Sequence, residues 1–175
     1  MSYTQKLFDI DVSDAIAELD SVQGFDKTLR ELHESSAHKE VTSINLRVAK
    51  STGDDVYDYF HNIESIDTDN LSKYKHCMDL VDIVAYKLDA IEIARVLVAK
   101  LPANKKIDRH RDEGAYPDTF ERLHICLNGD CKWNGEKMDP GSVYWVDNSD
   151  YHEVIAGSQD RTNIIVDLRC KNGFK

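Results

Sequence analysis

The residues of this 175-residue chain whose types and spacing can do chemistry are His110, Asp112 and, forty residues further on, His152. In an extended segment, positions 110 and 112 point to the same side, so an imidazole and a carboxylate can reach one metal ion. Two histidines and one carboxylate from separate strands cap one face of Fe(II) and leave the other face open. His110, Asp112 and His152 are therefore the expected metal ligands and the expected catalytic centre. His-x-Asp alone recurs by chance. The bland alternative is a loop histidine, a solvated aspartate and a turn histidine that never meet.

Three further side chains raise the pattern above chance. Arg161 opens the run Arg161-Thr162-Asn163-Ile164-Ile165-Val166-Asp167-Leu168, nine residues after His152. Arg122 and His124 alternate with Leu123, Ile125 and Leu127, so both lie on one face of a strand. A planar guanidinium suits bidentate carboxylate binding, and two suit a dianion. Without that role, Arg122 and His124 would simply face solvent and Arg161 would be a surface residue opening a strand.

The elements that must hold these residues can be read in outline. Residues 12–34 carry helical periodicity, interrupted at Gly24, with Asp11 or Ser13 as a cap for the first piece and Asp26 for the second. Val41 to Ala49 alternates like a strand. Ser51 to Asp55 is a loop by composition, and 55–70 carries no clear pattern. Leu71, Tyr74, Met78, Val81, Ala85 and Leu88 mark one helix face. Beyond Ala90 the chain turns β-rich. Ile91 to Leu101 reads as a strand buried on both faces, and Arg122–Leu127, Ser142–Val146, His152–Ile155 and Thr162–Arg169 as further strands. Trp133-Asn134-Gly135-Glu136 predicts a type I′ hairpin and Asp139-Pro140-Gly141 a second turn. Helices first, then many short strands, favours a mainly β (α+β) fold: a jelly roll buttressed by N-terminal helices. One domain over 1–175 is expected, with 1–90 as a helical support region and 91–170 as the β core.

Composition narrows the partners. Lys and Arg number 22 against 32 Asp and Glu, for a net charge of −10, and such a surface does not suit nucleic acid. No apolar run approaches the roughly 18 residues that span a bilayer, and the first six residues lack the apolar core of a leader. A cytoplasmic location is expected, with Cys77, Cys126, Cys131 and Cys170 reduced. Cys126 and Cys131 loosely resemble half a zinc knuckle, but no second close pair completes it.

From about Ile91 to Cys170 the chain resembles the aspartyl/asparaginyl β-hydroxylase family of Fe(II)/2-oxoglutarate oxygenases. The pieces that carry the resemblance are Leu101-Pro102, His110-Arg111-Asp112, Glu121 to Leu127, Pro140-Gly141, His152-Glu153-Val154 and Arg161…Ile165-Val166-Asp167. The resemblance implies a double-stranded β-helix, with Fe(II), 2-oxoglutarate and O2 as cofactor and cosubstrates. It implies that His110 and His152 bind iron, that Arg161 pairs with the distal carboxylate of 2-oxoglutarate, and that Arg122 and His124 contact its metal-proximal end. The chain departs from the pattern at two places. Several members acting on protein domains have glycine where this chain has Asp112, and the family tends to place a serine near Val98-Ala99.

The implied activity is a dioxygenase that hydroxylates a free amino acid, another small molecule, or an amino-acid side chain in a peptide. Two alternatives stand beside it: a cupin-like metalloenzyme that needs no 2-oxoglutarate, and a non-catalytic β-helix that binds a ligand or partner. His33, His38, His61 and His76 have no ligand-like sequence context and receive no role. Lys105, Lys106, Arg109 and Arg111 form a basic island that reads as a solvated loop.

Overall fold

A computed structural model describes residues 4–32, 36–50 and 61–173. The expected loop at Ser51–Asp55 lies outside the described residues, as does the start of the unassigned stretch after it, up to residue 60. Two antiparallel sheets face each other. Strands are β1 (Thr4–Asp9), β2 (Thr42–Ala49), β3 (Ser65–Asp67), β4 (Ala90–Leu101), β5 (Lys106–His110), β6 (Glu121–Asn128), β7 (Cys131–Trp133), β8 (Glu136–Met138), β9 (Ser142–Val146), β10 (His152–Ala156) and β11 (Arg161–Cys170). The larger sheet runs β1-β9-β6-β11-β4-β2-β3 and the smaller β5-β10-β7-β8. This is the double-stranded β-helix that the strand pattern predicts, with helices α1 (Ser13–Ser21), α2 (Leu29–Leu32), α3 (Lys75–Lys87) and α4 (Tyr116–Thr119) around it.

Alternation along β6 sorts the larger sheet's two faces. Leu123, Ile125 and Leu127 point outward and pack with Ile44, Leu46, Val96, Val98, Ile164, Val166 and Leu168 under α1 and α3. Cys126 faces inward with Ala99, Leu101 and Tyr144, against Ile107, Trp133 and Val154 of the smaller sheet. Each strand of the larger sheet therefore gives one face to the helices and the other to the space between the sheets. Helix α3 buries Cys77, Leu80, Val81, Val84 and Ala85. Its first turn is held by the Glu18 carboxylate of α1, which accepts from the backbone N–H groups of His76 and Cys77, each at 3.0 Å. An anion at a helix N-terminus satisfies orphan donors and complements the dipole.

The sequence expectations differ from the structure in places with identifiable causes. The first 90 residues are not only helical: they supply β1, β2 and β3. β1 escapes notice because its ladder with β9 shifts register between Lys6 and Phe8, which breaks the alternation. The two helical pieces expected over 12–34 are present but shorter than expected, and Asp26, expected to cap the second, instead forms a β-bridge with Ser43. Residues before Lys75 form a 3-10 turn over Asp69–Ser72, so α3 starts later than its apolar stripe suggests. β4 is buried on both faces only toward its C-terminal half; Ile91 remains exposed. The Asn134-Gly135 turn has positive φ at both residues (46° and 84°), as a type I′ hairpin requires. The four cysteines are free thiols, and burial pushes the Cys126 thiol up to about 12, which suits an inert core residue. No helix among the described residues is long and apolar enough to cross a membrane.

Gly129, in the turn between β6 and β7, has φ +67°, and a Cβ there would stand 2.3 Å from the carbonyl oxygen of Asp160. That oxygen belongs to the turn leading into β11, so relief would displace the strand that carries Arg161. Gly129→Ala should cost at least the ~1–3 kcal/mol of a non-glycine left-handed residue. Urea denaturation measures it; a midpoint equal to that of wild type would show that the turn relaxes without strain.

Candidate metal centre and its anion pocket

The two sheets bring the expected residues to one place from opposite sides. His110 ends β5 and stands directly across the ladder from His152 on β10, so both imidazoles project from the same face of the smaller sheet. Their ring centroids are 4.3 Å apart. Each Nδ1 is bonded to the backbone carbonyl two residues back, His110 to Asp108 at 2.8 Å and His152 to Asp150 at 3.0 Å. A carbonyl accepts only from N–H, so Nδ1 carries a proton and Nε2 is the nitrogen whose lone pair a neutral ring would offer. His110 Nε2 is buried without a hydrogen bond. Fixing Nδ1 in this way is the usual device for presenting Nε2 to a metal.

Asp112 completes the set. Its Oδ1 lies 3.3 Å from His110 Nε2 and 4.0 Å from His152 Nε2. Its Oδ2 receives Arg122 Nη1 and the Asn148 side-chain amide at 3.3 Å. One oxygen is thus held by neighbours and the other points to the histidines. Adjacent donors on a metal with bonds of about 2.1 Å stand roughly 3 Å apart. The residues fit a divalent ion once His152 Nε2, 4.0 Å from Asp112 Oδ1, moves inward by about an ångström or more; the donor atoms that already lie within 4.8 Å of one another are those of His38, His110 and Asp112.

Trp133 of β7 stacks on His152, with rings 4.3 Å apart and 12° from parallel, and meets His124 edge-on. Burial is the main influence on His152 and lowers its pKa despite the nearby Asp112 carboxylate. The ring therefore stays neutral and able to ligate at neutral pH.

The larger sheet supplies the rest. On its inner face β11 presents Arg161, Asn163, Ile165 and Asp167, and β6 presents Arg122 and His124. Arg161 is 2 % exposed, and its Nη2 reaches His124 Nδ1 at 2.9 Å. Asn163 Nδ2 lies 3.1 Å from the same nitrogen. Two donors on Nδ1 make it the acceptor, which leaves the proton on Nε2. Burial first, then the charges of Arg161 and Arg122, hold His124 well below the usual histidine range. Among the described residues no carboxylate pairs with Arg161, and Arg161 Nε, His124 Nε2 and Trp133 Nε1 are buried without hydrogen-bond partners. All three side chains line one narrow pocket with His110, Asp112 and His152. A buried guanidinium without a counter-ion, beside two unpaired N–H donors, has the chemistry that an anion would satisfy.

Arg122 is placed differently from the sequence expectation. It lies directly across the ladder from Asp167 and grips it with Nε at 2.8 Å and Nη2 at 3.1 Å. Arg95 joins the same carboxylate at 3.0 Å. The Arg122 charge is thus already compensated by Asp167 and Asp112, and its evident part is to aim Asp112. Sequence reasoning gave no role to Asp167, Asn163, Trp133 or Asn148, although two of them carry a signal: polar residues alternating with aliphatic ones in a buried strand. It also gave none to His38, which structure places in this pocket.

No protein-family model matches the sequence, and no curated protein does either. Solved structures match the fold. A 2OG-Fe(II) oxygenase family oxidoreductase from Burkholderia pseudomallei aligns over 98 % of this chain and 86 % of its own, at 15 % identity and a TM-score of 0.63. A Trichoplax adhaerens prolyl hydroxylase, in complex with a hypoxia-inducible factor peptide fragment, aligns over 97 % and 84 %, at 13 % identity and 0.55. A Pseudomonas putida prolyl-4-hydroxylase gives 97 % and 93 %, 13 % and 0.51. The chain has the fold of 2OG-Fe(II) oxygenases.

Burial raises the Asp167 carboxyl and is the largest single influence on it, but Arg122 and Arg95 together hold it below its ordinary value of 3.8. A carboxyl depressed in the folded state stabilises the fold at neutral pH and loses that contribution as pH falls through its folded value. Asp167→Asn should therefore cost about 3–5 kcal/mol at pH 7, as for one partner removed from a buried pair. The deficit should shrink as the medium is acidified below the ordinary carboxylate range. Thermal melts of both proteins across pH measure it; a deficit that stays constant would mean that Asp167 titrates alike in both states.

Proposed function

We propose that the chain is an Fe(II)- and 2-oxoglutarate-dependent dioxygenase, with residues 1–175 acting as one oxygenase domain. The single observation that carries this reading is Arg161. It is a buried guanidinium without a carboxylate partner among the described residues, lining the same narrow pocket as His110, Asp112 and His152. A cupin-like metalloenzyme acting without a dianion would have no use for that charge, whereas a keto diacid chelated at one end needs a cation at the other. Bound Fe(II), with 2-oxoglutarate and O2, supplies the oxidising power for C–H hydroxylation. The chain's own part is to hold the donors, to anchor the distal carboxylate on Arg161, with His124 and Trp133 as further N–H donors, and to keep water from the pocket.

The resemblance to the aspartyl/asparaginyl β-hydroxylases supports an amino-acid side chain as the target, free or within a peptide. A second, more open cavity shares Asp112 with the inner pocket and is lined by His61, Arg111, Glu113, Asp118 and Ser149. Charges of both signs beside the metal donors suit a polar, charged substrate such as an amino acid. Free cysteines and a strongly acidic composition suit a cytoplasmic enzyme.

Anaerobic protein given Fe(II) and 2-oxoglutarate should develop a visible charge-transfer band, absent from His110→Ala and His152→Ala. With Fe(II) saturating, Arg161→Ala should weaken 2-oxoglutarate by about 30-fold to several-thousand-fold, equivalent to about 2–5 kcal/mol. Arg161→Lys should recover only part, since an ammonium keeps the charge and loses the fork. Equal titration curves for all three proteins would sink the cosubstrate assignment and favour the cupin-like reading.

A further inference from the structure

His38 precedes β2 in a turn whose geometry is fixed on both sides. Its N–H donates to Ser36 Oγ at 3.0 Å, and its carbonyl accepts from Val41 N–H at 2.9 Å. The side chain is buried, 8 % exposed, and meets the His110 ring edge-on with centroids 4.5 Å apart. An edge-to-face contact alone would be ordinary packing. The nitrogen positions say more. One donor atom each from His38, His110 and Asp112 lie within 4.8 Å of one another. The Asp112 carboxylate, already flanked by His110 and His152, thus has a third imidazole near it. Opposite donors on a metal with bonds of about 2.1 Å stand roughly 4.2 Å apart, so the His38 donor already lies close to the spread that one ion spans.

We propose that His38 is a fourth protein donor to the metal, giving a three-histidine, one-aspartate site in the cosubstrate-free protein. The proposal rests on the reading of His110, Asp112 and His152 as the metal centre. Four protein donors leave a six-coordinate ion two open positions, whereas three leave three. The His38 arm therefore governs how many small ligands can bind together, and a chelating keto acid competes with it. Nothing in the sequence around Ser36-Ala37-His38 has ligand spacing; the donor arrives from outside the β core, on the turn that leads into the larger sheet.

The test uses Co(II) as the probe. Ring N–H protons of imidazoles bound to high-spin Co(II) are shifted far outside the normal proton range and vanish in D2O, so they count coordinated histidines. Wild-type protein loaded with Co(II), without keto acid, should show three such signals and His38→Gln two. His38→Gln should also lower Co(II) affinity by about 10–100-fold, the scale on which even an outer partner of a ligand acts. Its metal-free melting curve, compared with that of wild type, checks that the variant folds, and the wild-type count decides the matter in any case. Two signals in both proteins would overturn the role of His38 and leave the three-residue centre intact. Fewer than two in wild type would overturn the centre itself, and this proposal with it.

Discussion

The interaction on which the site depends is a chain of alternating charges, buried at its centre and partly buried at its ends: Arg95, Asp167, Arg122 and Asp112. Its links are contacts of 3.0 Å between Arg95 and Asp167 and 2.8 Å between Asp167 and Arg122, ending with Arg122 on Asp112. Arg95 and Asp167 lie on neighbouring strands of the larger sheet, Arg122 on the next, and Asp112 just beyond β5 of the smaller one. Ions out of water are tolerated only when each is paired and hydrogen-bonded. Here two guanidinium groups and two carboxylates compensate one another across both sheets. The Asp112 oxygen turned toward the histidines is therefore fixed by groups that contact no metal.

That balance makes Arg161 informative. With the four members of the chain neutralising one another, Arg161 remains as a buried positive charge, and a divalent ion at His110, Asp112 and His152 would add to it. Histidine supplies no relief, because burial keeps His124 and His152 neutral. A pocket with this surplus attracts an anion of more than one charge. The polar ladder on the inner face of β6 and β11 thus divides into two functions. Its Arg122–Asp167 end holds Asp112 in place, and its Arg161–His124–Asn163 end carries the uncompensated charge.

Much of this was legible from sequence because strand periodicity is simple. A period of two places His110 beside Asp112 and Arg122 beside His124, and once His152 and Arg161 open later strands, the inward face follows. What could not be read is pairing across the sheets. Arg122 looked like a ligand-binding cation because its partner, Asp167, is 45 residues away on an adjacent strand, and no local pattern connects the two. His38 was passed over for a related reason: it sits in a turn before β2, where neither helical nor strand spacing marks it. β1 was missed at an edge, where a bulge replaces the alternation that a reader needs. The errors share one physical origin, since each concerns a contact made by tertiary placement after the local elements are formed.

Likeness to solved oxygenases at 13–15 % identity establishes an arrangement of strands, and one such arrangement can host unrelated chemistries. The side chains, not the strand arrangement, therefore decide what the chain can do. The smaller sheet carries the imidazoles of His110 and His152 and the stacked Trp133; the larger carries the guanidinium groups. Asp112 is tied to the larger sheet through Arg122, and its backbone N–H donates to the carbonyl of Asn148, 3.3 Å away, so it belongs mechanically to both. Separation of the sheets would draw Asp112 from the histidines before it disturbed the Arg161 pocket. In the proposed enzyme, metal and anion affinity would therefore be coupled through the spacing of the sheets: an anion bridging the metal and Arg161 would draw the two layers together at the point where Asp112 already joins them.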